Sequence, residues 1–136
     1  AQGLDPGRLA LLLAVLHRRA RYQMGNVEVY ASAVGGVRLA EPGADLALCL
    51  AICSAVTGNP LPPDLVVFGE VGLAGEVRQV GQAQRRLAEA ARLGFRRAVV
   101  PANSPVAATT AGVEGIEMLR VATVSEALLA AGVHAP

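Results

Sequence analysis

From Leu46 to Val56 the chain reads LALCLAICSAV, eleven residues with no charge and a single serine. Leu46, Leu48, Leu50, Ile52 and Val56 leave a helix of this length almost no polar face. Such a helix belongs in the centre of a domain, so the remaining elements must be able to surround it. Asp45 stands at its start, where a carboxylate can cap the orphan N–H groups and complement the dipole. Gly58 stops it after Thr57. Cys49 and Cys53, the only cysteines, lie one turn apart inside it. They read as a redox pair, as half of a metal site, or as two small buried hydrophobes. The lack of an accompanying His or acidic cluster favours the last. Free cysteines fit a reducing, cytoplasmic setting.

A chain of 136 residues, 53% apolar and 17% charged, is long enough for one good core and too apolar for disorder. The longest fully apolar runs, Leu9–Leu16 and Leu46–Cys53, are eight residues each. A bilayer demands about 20, so neither spans a membrane. The first follows a polar start and lacks a cleavage-site pattern, so it reads as a helix rather than a signal peptide. Net charge is +1, which argues neither for nor against nucleic acid. All twelve basic residues are arginine, and chemistry that needs a lysine amine is excluded. Four aromatics, Tyr22, Tyr30, Phe68 and Phe95, leave little material for stacking bases.

Asp5-Pro6 opens a first helix, and Leu9, Leu12, Leu13, Leu16 and Ala20 form its apolar stripe. Arg8, Arg18, Arg19 and Arg21 lie mostly off the stripe. The last three suit the negative end of the helix dipole and equally an anion. Residues Val27 to Val34 alternate as a strand, Gly35-Gly36 turns, and Val37 to Leu39 returns as a hairpin partner. After the polar junction Glu41 to Asp45 and the apolar helix comes a stiff loop with three prolines, Gly58 to Asp64. Leu65 to Phe68 is a short buried strand. Gly72 and Gly75 shape a turn, and Glu76 to Val80 pairs with that strand or with a neighbour. Gln82 to Leu93 is an amphipathic helix with Ala83, Leu87, Ala90 and Ala91 on its apolar face, closed by Gly94. Phe95 to Val100 is a strand ended by Pro101, Ala102 to Ala111 a loop, and Ile116 to Val121 a last strand. Thr123 or Ser125 caps a closing helix over Glu126 to Ala131. Hairpins interrupt any continuous βαβ rhythm and no repeat is visible, so the fold class is α/β or mixed α+β in one domain, residues 1–136.

No phosphate loop is present, because G-x-x-x-x-G-K-[ST] requires a lysine and Gly69 to Gly75 leads into an extended piece. His17 and His134 are the only imidazoles. Asp45 with Glu41, and Glu70 with Glu76, are acid pairs that capping, turn polarity and salt bridging account for. Ser104 lies in a loop with no base near it in sequence.

Four phrases carry a resemblance: VGGVRLAEPGADLALCLAICSA (Val34 to Ala55), NPLPPD (Asn59 to Asp64), FGEVGLAGEVRQV (Phe68 to Val80) and QRRLAEAARLGFRRAVVP (Gln84 to Pro101). Together they resemble Lon-type peptidase domains, in the form that closes the RadA family of bacterial DNA-repair proteins, over about Gly7 to Ala131. The resemblance implies a ribosomal-protein-S5-domain-2-like fold and assembly into a homo-hexameric ring. Lon-type peptidases use a serine activated by a lysine, each at the opening of a helix. The resemblance puts Ala44 at the serine's position and Gln84 at the lysine's, with room for a slip of one residue. Neither can act as nucleophile or base.

The implied function is a non-catalytic oligomerisation and DNA-binding module of a recombinational-repair and branch-migration ATPase. No cofactor is expected in this domain; ATP, Mg and Zn are expected in a RecA-like ATPase domain and a zinc motif outside it. Expected partners are further copies of the chain, its own ATPase domain, and DNA, with no membrane. The arginines available for phosphates are Arg18, Arg19 and Arg21, and Arg85, Arg86, Arg92, Arg96 and Arg97; the plainer reading of these is solvated, partly paired surface. Two other functions stay open: a structural ring-forming or protein-docking domain without DNA contact, and a peptidase with an unrecognised nucleophile.

Overall fold

The structure, a computed structural model, describes residues 6–20, 41–106 and 115–134. The expected Asp5 cap, Arg21, the hairpin over 27–39 and the second half of the 102–111 loop lie outside the described residues. Helix α1 is Pro6–Arg18, and a 3-10 turn, Pro42–Ala44, leads into α2, Asp45–Thr57. Strands β1 (Leu65–Val67), β2 (Glu70–Val71) and β3 (Val77–Arg78) precede α3 (Ala83–Arg92). Strands β4 (Arg97–Pro101) and β5 (Glu117–Val121) and helix α4 (Val124–Ala130) complete the order.

Strands β1, β4 and β5 form one sheet in that order, parallel throughout, with Val67 opposite Val99 and Val99 opposite Leu119. This agrees with a βαβ rhythm interrupted by a hairpin. The crossover from β1 to β4 carries α3 but also the β2–β3 hairpin, and that insertion hides the βαβ unit in the sequence. Of the two expected partners for the return arm, the structure selects the neighbour: Glu70 pairs with Arg78 and Val71 with Val77.

Side chains alternate across the parallel strands, as period 2 requires. Val99 and Val121 join Leu12, Leu16, Leu46, Leu50 and Leu128 in a core shared by α1, α2 and α4. Ala98 and Val100 point the other way and pack with Phe68, Ala83, Leu87 and Ala90 beneath α3. The sheet is thus sandwiched, which is the α/β arrangement. Burying one side chain such as Leu87 completely contributes about 2 kcal/mol.

The central helix is less enclosed than its composition implies, since Ala51 and Ala55 are exposed. Alanine carries little apolar area, so leaving it in water costs little. Gly58, left-handed at φ 76°, ends the helix as expected. Thr123, not Ser125, caps α4: its hydroxyl accepts from the Glu126 N–H at 3.1 Å.

Candidate functional site

The opening of α2 is tied to the segment after β1, and the opening of α3 meets it across a cleft. Gly69 N–H donates to Gly43 O and Leu46 N–H to Gly69 O, both at 3.0 Å. Gly69 has φ 154°, and a Cβ on it would lie 2.9 Å from Val77 Cγ1 and 3.3 Å from Leu46 Cδ2. Only glycine allows so close an approach. The result is an open cleft of about 240 Å³ bounded by Glu41, Pro42, Gly43 and Glu70 on one side. Gln79, Val80, Gly81 and Arg86 bound the other.

Beneath one wall lies a charged network that local sequence did not announce. Asp45 is the first residue of α2 rather than its cap; Ala44 holds the cap position without a side-chain bond. The Asp45 carboxylate is 2% exposed and accepts from the Val71 N–H at 3.1 Å and from Arg8 Nε at 2.8 Å. A second Arg8 donor, Nη2, reaches its other oxygen and lies 3.8 Å from Glu70. Asp45 therefore ties α1, α2 and β2 together, while its charge still suits the first turn of the helix.

Across the cleft, Arg86 donates from Nε to Gly81 O at 2.9 Å, lies 5.7 Å from the Phe68 ring centroid, and pairs with Glu41. Gly81 leads into Gln82, which adopts φ 66°, the one left-handed non-glycine among the described residues. Holding a side chain there costs roughly 1 kcal/mol or more, partly offset by the lower chain entropy of a non-glycine. Gln82→Gly is therefore expected to raise stability by about 0.5 kcal/mol, seen as a higher urea midpoint at unchanged slope.

Neither residue assigned to the dyad positions faces this cleft. Ala44 is half-buried at the opening of α2, and Gln84 is exposed on the first turn of α3. Their neighbours Gly43 and Arg86 line the cleft instead, a displacement of one residue in the first case and two in the second. Among the described hydroxyls, Ser54 donates to Asn59 O at 2.6 Å and buried Ser104 to Pro101 O at 2.7 Å. His17 and His134 are both exposed. Among the described residues, no three His, Cys, Asp or Glu side chains are grouped to hold a metal.

Cys49 and Cys53 are free and buried, and burial pushes both thiols up, Cys53 to about 12 and Cys49 further still with Cys53 and Asp45 adding to the effect. A raised thiol stays protonated at neutral pH, and the thiolate is the reactive form. Iodoacetamide at pH 8 is expected to leave both unmodified in folded protein and to alkylate both in urea, as read by intact mass.

The expected phosphate-contacting arginines divide into two sets. Arg18 and Arg19 at the end of α1, Arg85 on α3 and Arg96 after it are exposed and form no salt bridge among the described residues. Arg86, Arg92 and Arg97 are paired, with Glu41, Glu89 and Asp64 respectively. The hydrogen bond from Arg97 holds the Asp64 carboxyl below its ordinary range, and that from Arg92 does the same for Glu89. Arg120, which local sequence did not single out, donates to Ala102 O, Ser104 O and Val106 O and clamps the loop after β4.

A sheet of parallel strands packed between helices, with two helix openings meeting at one cleft, makes this an α/β domain. The family model described as the Lon protease (S16) C-terminal proteolytic domain matches residues 15–131, and the chain belongs to that family. Among relatives, it is 54% identical over 129 residues to the DNA repair protein RadA of Escherichia coli strain K12. It is 51% identical over 129 residues to that of Haemophilus influenzae and 47% over 126 to that of Pseudomonas aeruginosa. These matches take in 93–94% of this chain but only 27–28% of each relative, so the chain spans about a quarter of the proteins it matches. The resemblance and the fold class read from the sequence both stand. No described helix is long and apolar enough to cross a membrane.

Proposed function

We propose that this domain is a non-catalytic module of a longer, cytoplasmic DNA-repair ATPase, serving its assembly into a homo-hexameric ring and its hold on DNA. The observation that carries the reading is the content of the cleft. Its lining holds Gly43 and the Glu41–Arg86 pair but no serine or lysine, and Ala44 and Gln84, which the resemblance puts at the dyad positions, carry neither a nucleophile nor a base. Without a nucleophile and a base to activate it, covalent peptide hydrolysis has no starting group. The name shared by relatives that match nearly the whole chain supports the repair role. On this reading ATP, magnesium and zinc belong to other domains of the longer protein, including the RecA-like ATPase that this domain would partner.

Exposed Arg18, Arg19, Arg85 and Arg96 supply the positive charge for phosphates, and a ring would multiply a weak patch into avid binding. Anisotropy of a labelled duplex, titrated across salt concentrations, tests the DNA role. Each neutralised phosphate is expected to contribute about −0.9 to the log–log slope. Binding without salt dependence would sink it. Casein is expected to remain intact, and hydrolysis abolished by one point mutation would restore the peptidase reading. The pairing of Arg86, Arg92 and Arg97 favours a second reading, a structural ring or docking module without DNA contact. Light scattering that shows a stable ring, with no duplex binding at low salt, would select it.

A further inference from the structure

Arg86 is held in place by contacts that involve no anion. Nε is engaged by Gly81 O at 2.9 Å, and the Phe68 ring lies under the guanidinium within cation–π reach. These fix the plane of the fork, and the Nη2 terminus meets the Glu41 carboxylate in the cleft. A guanidinium fork accepts carboxylate and phosphate oxygens in the same geometry. Gly43 leaves room for the pair: a Cβ there would lie 2.9 Å from Glu41 Oε1 and 3.3 Å from Arg86 Nη2.

The two partners are unequally anchored. The Arg86 side chain is 29% exposed and keeps two other contacts. The Glu41 side chain is 56% exposed, and among the described residues its carboxylate bonds to Arg86 alone. Exposed pairs of this kind are weak and exchange readily. Losing Glu41 would therefore leave the fork in place and empty the position in front of it.

We infer that Glu41 is an internal competitor for a DNA phosphodiester at Arg86. In the unbound domain its carboxylate occupies the fork, and a phosphate of the bound strand displaces it. The inference rests on the DNA-binding reading. A phosphate is favoured over a peptide carboxylate by what flanks the fork. Arg85, the next residue on α3, is exposed just outside the cleft and offers a polyanion a second cation, and the first turn of α3 has no acidic residue. Glu70, on the far side of the cleft, lies 3.8 Å from Arg8, a cation it shares with Asp45.

The test is anisotropy of a short labelled duplex with the 136-residue chain and its variants, each checked by circular dichroism for fold. Glu41→Gln is expected to tighten Kd about two- to fivefold at low salt and to steepen the salt slope by up to about 0.9. Glu126→Gln removes the same charge from an exposed position on α4, keeps an oxygen to accept from the Ala122 N–H, and is expected to leave the slope unchanged. Adding Arg86→Ala to Glu41→Gln should abolish the gain, and Arg86→Lys, charged but without the fork, should keep only part of it. If Glu41→Gln brings no gain while Arg85→Ala with Arg96→Ala weakens binding, the inference falls and the DNA reading stands. If neither wild type nor Glu41→Gln binds duplex, both fall. A gain for labelled oligoglutamate and none for duplex would assign the fork to an acidic polypeptide and overturn the inference.

Discussion

Replacing Asp45 by Ala is expected to destabilise the domain by about 3 kcal/mol, because it removes one partner from a buried, hydrogen-bonded ion pair. Three consequences add. The Val71 N–H, buried against the carboxylate at 3.1 Å, is left without its acceptor, which costs about 1–3 kcal/mol. Arg8 loses both of its bonds to Asp45, although at 34% exposure it can turn toward water or Glu70. The first turn of α2 also loses its one acidic group at the positive end of the helix. For a domain of this size the melting temperature should fall by about 10 °C. Asp45→Asn keeps an acceptor for Val71 and gives up the charge, so about half the loss is expected. A cost below about 1 kcal/mol for Asp45→Ala, read from urea unfolding, would mean that the network does not hold α1 and β2 to the central helix.

That network also marks the boundary of what the sequence made legible. The span of α2, its stop at Gly58, the apolar face of α3 and the Thr123 cap all follow from signals within one or two turns of chain. Asp45 was legible as a helix-start residue, but its partners are Arg8 and Val71, 37 and 26 positions away. Nothing local distinguishes a capping aspartate from one that reaches a distant arginine. The three strands of the sheet were legible, but their pairing was not, for the same reason. Strand β1 has three residues and β2 two, too few for a period to declare itself, and parallel pairing joins segments that share no turn. At the cleft, the absence of any lysine could be read directly from the sequence. The Glu41–Arg86 pair in the cleft could not be read this way, because its members are 45 positions apart.

If the domain binds DNA as a ring, substituting Ala for Arg18, Arg19, Arg85 and Arg96 together is expected to lower the salt slope of duplex binding by about 3–4, at roughly 0.9 per lost phosphate contact. The sheet makes the two halves of that set unequal. Helix α1 packs with α2 and α4 on one face, and the Arg19 Cβ lies 2.9 Å from where Gly75 would carry its own. Arg85 lies on α3, which covers the opposite face, and Arg96 on the loop that leaves it. One duplex cannot reach both faces of a single copy. The α3 side is richer, since paired Arg86, Arg92 and Arg97 stand near the exposed two. In a monomer, Arg85→Ala with Arg96→Ala should therefore remove about 1.8 from the slope, and Arg18→Ala with Arg19→Ala much less. In a ring, neighbouring copies can present both faces to one DNA, and the α1 pair should then gain weight. Equal losses from both pairs in a chain shown by light scattering to be monomeric would contradict the layered placement. Unchanged slopes from all four would remove these arginines from the proposed DNA contact.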